Sequence, residues 1–155
     1  GGGGPNVTSW LVALDESILL TTPEPHAITD VYSLIKILGK DIKDGQLSLV
    51  LNRVVHGREG AEYAQRIMFA ARRFLEYNLL YLGHITEDAH VIKSVKRQEP
   101  LVNIYPQSKA VQSVKQLAMN LLEPQEKRRE SFGFQGVSVK TKFQNRHESR
   151  RRPHG

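Results

Sequence analysis

The sequence lacks cysteine entirely, and it has only two methionines and one tryptophan in 155 residues. Without cysteine there is no disulfide framework and no metal site built from thiolates. The sequence also lacks an apolar run approaching the ~18 residues that a membrane-spanning helix needs. Its composition, with 39% hydrophobic and 25% charged residues, is typical of a soluble globular protein and fits the cytoplasm.

Two kinds of catalytic or metal-binding pattern are missing as well. The six histidines show no His-x-His or His-x-x-x-His spacing, so the sequence predicts no metal site. No Gly-x-Ser-x-Gly motif is present, and nothing in the sequence indicates a nucleophilic triad. The sequence therefore offers no catalytic residue that could be assigned from a motif alone.

Positive charge is concentrated at the end of the chain. The net charge is +6, and the residues up to Glu123 carry equal numbers of acidic and basic side chains. From residue 124 on there are nine basic and three acidic residues, so this tail holds the whole excess. The high isoelectric point therefore describes the tail and not the folded part.

One stretch predicts a strand, a tight loop and an amphipathic helix. Residues 17–38 read SILLTTPEPHAITDVYSLIKIL and begin with a short apolar run of strand-like composition. Pro23 and Pro25 exclude a strand centre or a helix interior there, and apolar residues then recur at helical spacing. Ligands bind at the carboxyl ends of strands in open α/β sheets, which makes Glu24 and Asp30 candidate site residues. On spacing alone, a loop acid and a solvated helix acid are the simpler interpretation.

Strands and helices alternate in the rest of the sequence up to residue 123. Periodicity and capping residues predict strands at 46–52 and 79–85, helices at 7–14, 59–77, 89–97 and 109–122, and an extended connector at 100–106. Ser108 is predicted to cap the helix at 109–122. This order predicts an α/β fold, a parallel sheet with right-handed crossovers and helices on both faces.

Three strands are few for such a sheet, so we expect residues 1–123 to be half of a larger domain. The opening Gly-Gly-Gly-Gly-Pro is either an expression remnant or a sign that upstream residues are missing, and we favour the second. Residues 124–155 are predicted to form a basic, mostly disordered tail.

Several motifs in order carry a resemblance over about residues 4–122. The segments are DESILLTTPEPHAITDVYSLIKIL, LVLNRV and RFLEYNLLYLGHITEDAHVIKSVKRQEPLVNIYPQSKA. The chain resembles the MinD/ParA group of deviant P-loop ATPases, and within it the FlhG-like proteins that control flagellar number and position. The resemblance implies a partial P-loop NTPase sheet of the SIMIBI type, corresponding to the C-terminal half of such an ATPase domain.

The resemblance also implies roles for individual residues. In this family the Pro-Glu loop lies near the nucleotide of an ATP-bound dimer, which implies that Glu24 and Asp30 receive the signature lysine of the partner subunit. The family's Asn-Arg pair falls on Asn52 and Arg53, which are implied to contact the adenine and its surroundings. The family's Pro-x-Asp reads T-E-D here. Asp88 is therefore implied to flank the base, although the proline is replaced.

The phosphate-binding loop of the family does not occur in this sequence. No Gly-Lys-Ser or Gly-Lys-Thr is present, since Gly39-Lys40 is followed by Asp41. That loop supplies the amides and lysine that hold phosphates, and the hydroxyl that binds Mg²⁺. ATP and Mg²⁺ are thus cofactors implied for the family, and we expect no ATP hydrolysis by this chain alone. Whether the chain is an enzyme stays open at this point.

The resemblance implies partners and a location. These are an ATP-bound homodimer, an FlhF-like GTPase, components of the flagellar C-ring, and reversible attachment of a cytoplasmic protein to the inner face of the cell membrane. A basic tail with Phe and Val suits an anionic lipid surface. However, Val137, Val139 and Phe143 alternate instead of following helical spacing, and a solvated tail is the simpler interpretation. The alternative function is a non-enzymatic binding module whose basic tail contacts nucleic acid or an acidic partner, with nucleic acid the less favoured.

Overall fold

Three parallel strands form the centre of the structure. The computed structural model describes residues 13–38 and 41–136. The strands are β1 (Ser17–Thr21), β2 (Leu47–Val54) and β3 (Leu80–Thr86), and they lie in the order β1-β2-β3. Each strand runs parallel to its neighbour, so each connection crosses over one face of the sheet. The first five residues of β2 are buried without interruption, as expected for a strand covered on both faces.

Six helices lie within the described residues. They are α1 (Pro25–Leu38), α2 (Gly57–Leu75), α3 (Ala89–Arg97), α4 (Leu101–Ile104), α5 (Lys109–Leu122) and α6 (Gln125–Phe132). The predicted cap of α5 is confirmed, because the Ser108 side chain accepts a hydrogen bond from the Val111 amide at 3.4 Å.

Helices cover both faces of the sheet, as predicted. On one face, α1 and α2 pack against the sheet around Ile35, Leu49 and Met68, each at most 1% exposed. On the other face, Leu117 of α5 packs against Val50 and Leu82, with additional apolar residues from α5 and α6. The architecture is therefore a three-layer α/β arrangement, consistent with a partial P-loop NTPase fold.

The two edges of the sheet differ. At β3, the α5 side chains of Ser113 and Asn120 hydrogen-bond to backbone groups of the strand: Ser113 Oγ accepts from the Thr86 amide at 3.1 Å, and Asn120 Nδ2 donates to the Leu82 carbonyl at 2.8 Å. At β1, pairing in the described residues is with β2 only, and Ile18 and Leu20 are 50% and 55% exposed. Helix α5 thus protects one edge of the sheet, and β1 leaves the other more accessible.

Two predictions differ from the structure. Residues 100–106, predicted to be an extended connector, contain the short helix α4. Part of the tail predicted to be irregular and mostly disordered forms α6, whose Arg128 is only 5% exposed and pairs with Glu16. Helix α6 has little apolar periodicity, so its sequence does not predict a helix. The buried Arg128, paired with the half-exposed Glu16, and Phe132 hold it in place.

Some predictions fall outside the described residues. These are most of the helix predicted at 7–14 and all of the tail from residue 137, including its alternating apolar residues. Among the described helices, none has the length and apolar character needed to cross a bilayer.

Candidate functional site

The loops that follow the three strands meet at the carboxyl end of the sheet. Arg53 near the end of β2 forms an ion pair with Glu87, which follows β3, at 3.3 Å from Nη2 to Oε1. The Glu87 amide also donates to the Val54 carbonyl at 2.9 Å. The loops after β2 and β3 are therefore joined, at the end of a parallel sheet where ligands bind.

The loop between β1 and α1 is a tight turn whose backbone is held at several points. The Glu24 amide donates to the Thr22 carbonyl at 2.8 Å, and the Glu24 carbonyl accepts from the Ala27 amide at 3.0 Å. The Tyr63 hydroxyl of α2 also donates to this carbonyl. Burial raises the pKa of Tyr63, which keeps its hydroxyl protonated as a donor. The Glu24 carboxylate stays 51% exposed, 3.1 Å from His26 Nε2.

The Asn52-Arg53 pair has an unusual backbone. Arg53 has a φ of 57°, in the left-handed region that a non-glycine residue seldom adopts. The Asn52 side-chain oxygen accepts a hydrogen bond from the Arg53 amide at 2.9 Å. This bond supports the irregular backbone within β2, where the pairing with β3 shifts register, and the Arg53 side chain extends toward Glu87.

A cleft of about 290 Å³ lies between the proline loop and the start of α2. Pro23, Arg53 and Tyr63 line it together with both acidic and basic side chains of α2. The cleft therefore joins the loops after β1 and β2, two of the segments that the sequence singled out. Nothing in the sequence indicated the contact of Tyr63 with the proline loop.

Asp88 occupies a different environment. Its Oδ1 accepts from the His90 amide at 2.9 Å and lies 2.7 Å from His90 Nδ1, and its Oδ2 accepts from the Ala110 amide at 3.0 Å. The Ala110 hydrogen bond is the largest of the effects that lower the Asp88 pKa to about 2, with further help from His90 and against the opposing effect of burial. The carboxylate thus caps α3 and ties it to the start of α5. The nucleotide contact of Asp88 stays a prediction.

Asp30 is separated from this group. It lies exposed on α1, and its side chain has no hydrogen bond or ion pair within residues 13–38 and 41–136. Glu24 and Asp30 both present exposed carboxylates, and the described structure places neither in contact with the other. An acceptor for a partner's lysine would have this accessibility, but so would a solvated acid.

The described residues fit some parts of a nucleotide site and not others. The left-handed backbone at Arg53, within β2, and the cleft beside Tyr63 provide polar groups and concavity at the strand ends. The described part of the chain has no group of three or more His, Asp or Glu side chains that could hold a metal ion. A donor set for Mg²⁺ is therefore not assigned to these residues.

Known proteins resemble this chain over most of its length. It is 32% identical over 120 residues to the antiactivator FleN of Pseudomonas aeruginosa, covering 77% of this chain and 43% of that protein. It is 36% identical over 118 residues to the flagellum site-determining protein YlxH of Helicobacter pylori, covering 76% of this chain and 40% of that protein. An ATP-binding protein of Methanocaldococcus jannaschii is 32% identical over 139 residues, or 84% of this chain and 48% of its own length.

No protein-family model matches the chain. The chain spans less than half the length of each of the three relatives, between 40% and 48%. The comparisons therefore do not establish that this chain has the activity of those whole proteins.

Proposed function

We propose that this chain, which is homologous to FlhG-like proteins of the MinD/ParA type over about three quarters of its length, carries the adenine-and-partner side of an ATP-dependent dimerisation switch. In this proposal Asn52, Arg53 and Asp88 surround the base. Glu24 and Asp30 receive the lysine of a second subunit. ATP binds the dimer more tightly than the monomer and so shifts the population toward the dimer.

The observation that carries the proposal is the convergence of the strand ends. The proline loop and Arg53 line one cleft, and Glu87 pairs with Arg53 from the third strand. A switch that responds to both nucleotide and partner needs the residues that contact the nucleotide and those that contact the partner at the same end of the sheet. The carboxylates must also be accessible to the partner. Glu24 is exposed and its backbone is fixed by the hydrogen bonds described above.

Phosphate binding is not assigned to any residue of this sequence. The accessible β1 edge, with Ile18 and Leu20 exposed beside it, supports the idea that the sheet is extended there by residues that carry the phosphate-binding loop. Catalysis of phosphoryl transfer consists mostly of positioning and charge stabilisation, so a chain without those parts should not hydrolyse ATP. Magnesium-dependent ATP turnover by the purified 155-residue chain would contradict this part of the proposal.

The relatives' names suggest the biological role. One is named an antiactivator and the other a flagellum site-determining protein. We extend the proposal to control of flagellar number and position in the cytoplasm, with an FlhF-like GTPase and C-ring components as partners. The basic tail would add reversible attachment to an anionic membrane surface.

The test uses the longest natural protein that contains this sequence. Glu24→Ala and Asp30→Ala should each raise the ATP concentration that gives half-maximal dimerisation, by roughly tenfold, because each removes a carboxylate that holds the partner's lysine. Light scattering during an ATP titration measures this concentration.

Glu123→Ala is the matched control, because Glu123 forms a solvent-facing i,i+4 pair with Lys127 and does not line the cleft. This variant should dimerise like the unmodified protein. Unchanged dimerisation in both Glu24→Ala and Asp30→Ala would show that the two roles carried over from the family are wrong.

A further inference from the structure

Helix α3 has an apolar face that the fold does not use. Val91, Ile92 and Val95 are 39%, 62% and 70% exposed, and Ser94 is the buried residue of this helix. None of these three valine and isoleucine side chains belongs to either hydrophobic core. On the adjoining helix α4, Val102 is 53% exposed. An amphipathic helix normally buries its apolar face, so this exposure calls for a partner.

Polar contacts hold α3 in place instead. Asp88 caps the helix and accepts from the Ala110 amide at 3.0 Å, which links α3 to α5. The His90 ring contacts the ring of Tyr105, with the centroids 4.4 Å apart and the ring planes tilted by 49°. The Ser94 hydroxyl turns inward and donates to the Val91 carbonyl at 3.0 Å. Polar contacts therefore attach the helix to the rest of the protein, and its exposed apolar side chains do not take part in that packing.

Charge on the exposed side of α3 has one sign. The helix contains Lys93, Lys96 and Arg97 and no acidic residue. Arg97 is paired with Glu99 at 3.0 Å, whereas neither lysine has an ion pair within the described ranges. Lys96 lies four residues after Ile92, one helical turn away, and three residues after Lys93. The two lysines therefore lie next to each other along one side of the apolar strip.

We propose that the α3 surface, formed by Val91, Ile92, Lys93, Val95 and Lys96, binds an acidic amphipathic segment of another protein. The apolar residues of that segment would cover the valines and the isoleucine, and its Asp or Glu side chains would lie over the two lysines. This proposal concerns a second surface and does not depend on the nucleotide switch.

The side chains on the α3 surface favour a protein partner over a lipid bilayer. The apolar residues are all β-branched, so they are stiff at χ1 and lose little entropy when a rigid partner covers them. Helices that insert into the headgroup region of a membrane usually present Trp, Phe or Leu, and none of these lies on α3. Binding to a membrane would appear in the test below as crosslinks to lipid.

The test is photo-crosslinking in the cells that make the protein, with p-benzoylphenylalanine in place of Ile92 and mass-spectrometric mapping of the attached group. The expected product is a crosslink to a protein segment in which acidic and apolar residues alternate at helical spacing. Adding Lys93→Glu and Lys96→Glu should reduce its yield by roughly tenfold, because like charges would then face each other.

Two controls separate this surface from general exposure. Met119 on α5 is 64% exposed, and the same crosslinker there should not give the product. Lys115→Glu reverses an exposed lysine on α5 and should leave the yield at position 92 unchanged. Circular dichroism of each variant checks that the fold is retained.

Several results would overturn the proposal. These are crosslinks to lipid alone, crosslinks to a protein segment that has no acidic residues, a yield that does not respond to charge reversal on α3, and the absence of any crosslink at position 92 in a folded protein.

Discussion

At the scale of single residues, Asp88 connects three parts of the chain. Its carboxylate accepts from the start of α3, from the His90 ring and from the start of α5, and its pKa is lowered to about 2. A carboxylate with a lowered pKa in the folded state contributes stability above its ordinary pKa, near 4, and loses it as the pH falls toward 2.

Asp88→Ala should therefore lower the free energy of unfolding by about 1 kcal/mol near neutral pH, the usual cost of losing an N-cap. The difference from the unmodified chain should shrink as the pH falls from about 4 toward about 2, because the unmodified carboxylate becomes protonated. Urea unfolding at several pH values measures the difference. Ser108→Ala removes a cap that does not titrate, so its effect should not change with pH. The same pH dependence in both variants would contradict this account.

At the scale of elements, α6 is held by a charge that its own sequence does not explain. Arg128 is 5% exposed, its Nη2 pairs with Glu16, and its Nε has no hydrogen-bond partner among the described atoms. On the same helix, Arg129 donates to the Asp44 carbonyl at 3.0 Å. Burial of an arginine is tolerated only while it is paired, so the docking of α6 depends on Glu16.

We expect Glu16→Gln to lower the free energy of unfolding by roughly 1–3 kcal/mol, less than for a fully buried pair because the Glu16 side chain is 44% exposed. Amide hydrogen exchange should become faster in α6 before other helices are affected. Glu123→Gln is the control, since its pair with Lys127 faces solvent, and it should change stability by no more than about 0.5 kcal/mol. Equal effects of the two substitutions would mean that the pair of Arg128 with Glu16 does not hold α6.

At the scale of the whole molecule, the two sides of β1 have different surroundings. Leu19 packs against the larger core, while its neighbour Leu20 is 55% exposed on the opposite face of the strand. The alternation follows from the two-residue period of a strand. Within residues 13–38 and 41–136, the second face of β1 has no helix cover like that which β3 receives from α5.

In the 155-residue chain, Leu19→Glu should lower the free energy of unfolding by about 2–3 kcal/mol, because it places a charge at a partly buried position that packs against the larger core. Leu20→Glu should change it by less than about 1 kcal/mol and should reduce self-association, because a charge on an accessible strand discourages edge pairing. Urea unfolding and sedimentation measure the two quantities. A large loss of stability in Leu20→Glu would show that this face is covered.

The sequence by itself determined the regular elements that bury an apolar face. The strands and the helices α1, α2 and α5 were predictable because their apolar residues recur with the period of the element, whereas α3 was predicted from the capping residues before it. Parallel order followed from the alternation of strands and helices, and it already placed Glu24, Asn52 and Arg53 at one edge of the sheet. Their roles toward a nucleotide stay predictions, since the name of the Methanocaldococcus jannaschii relative refers to ATP binding by that protein and not by this chain.

Only the tertiary structure decided which groups hold these elements and loops together. The pair of Arg128 with Glu16 joins residues 112 positions apart, and the contacts of Tyr63 with Glu24 and of Arg53 with Glu87 join residues 39 and 34 positions apart. No periodicity records such contacts, because each depends on a polar side chain and a distant side chain or backbone carbonyl that the fold brings together after the apolar faces are buried. For the same reason, the exposed apolar face of α3 could not be distinguished from a core-facing one before its neighbours were known.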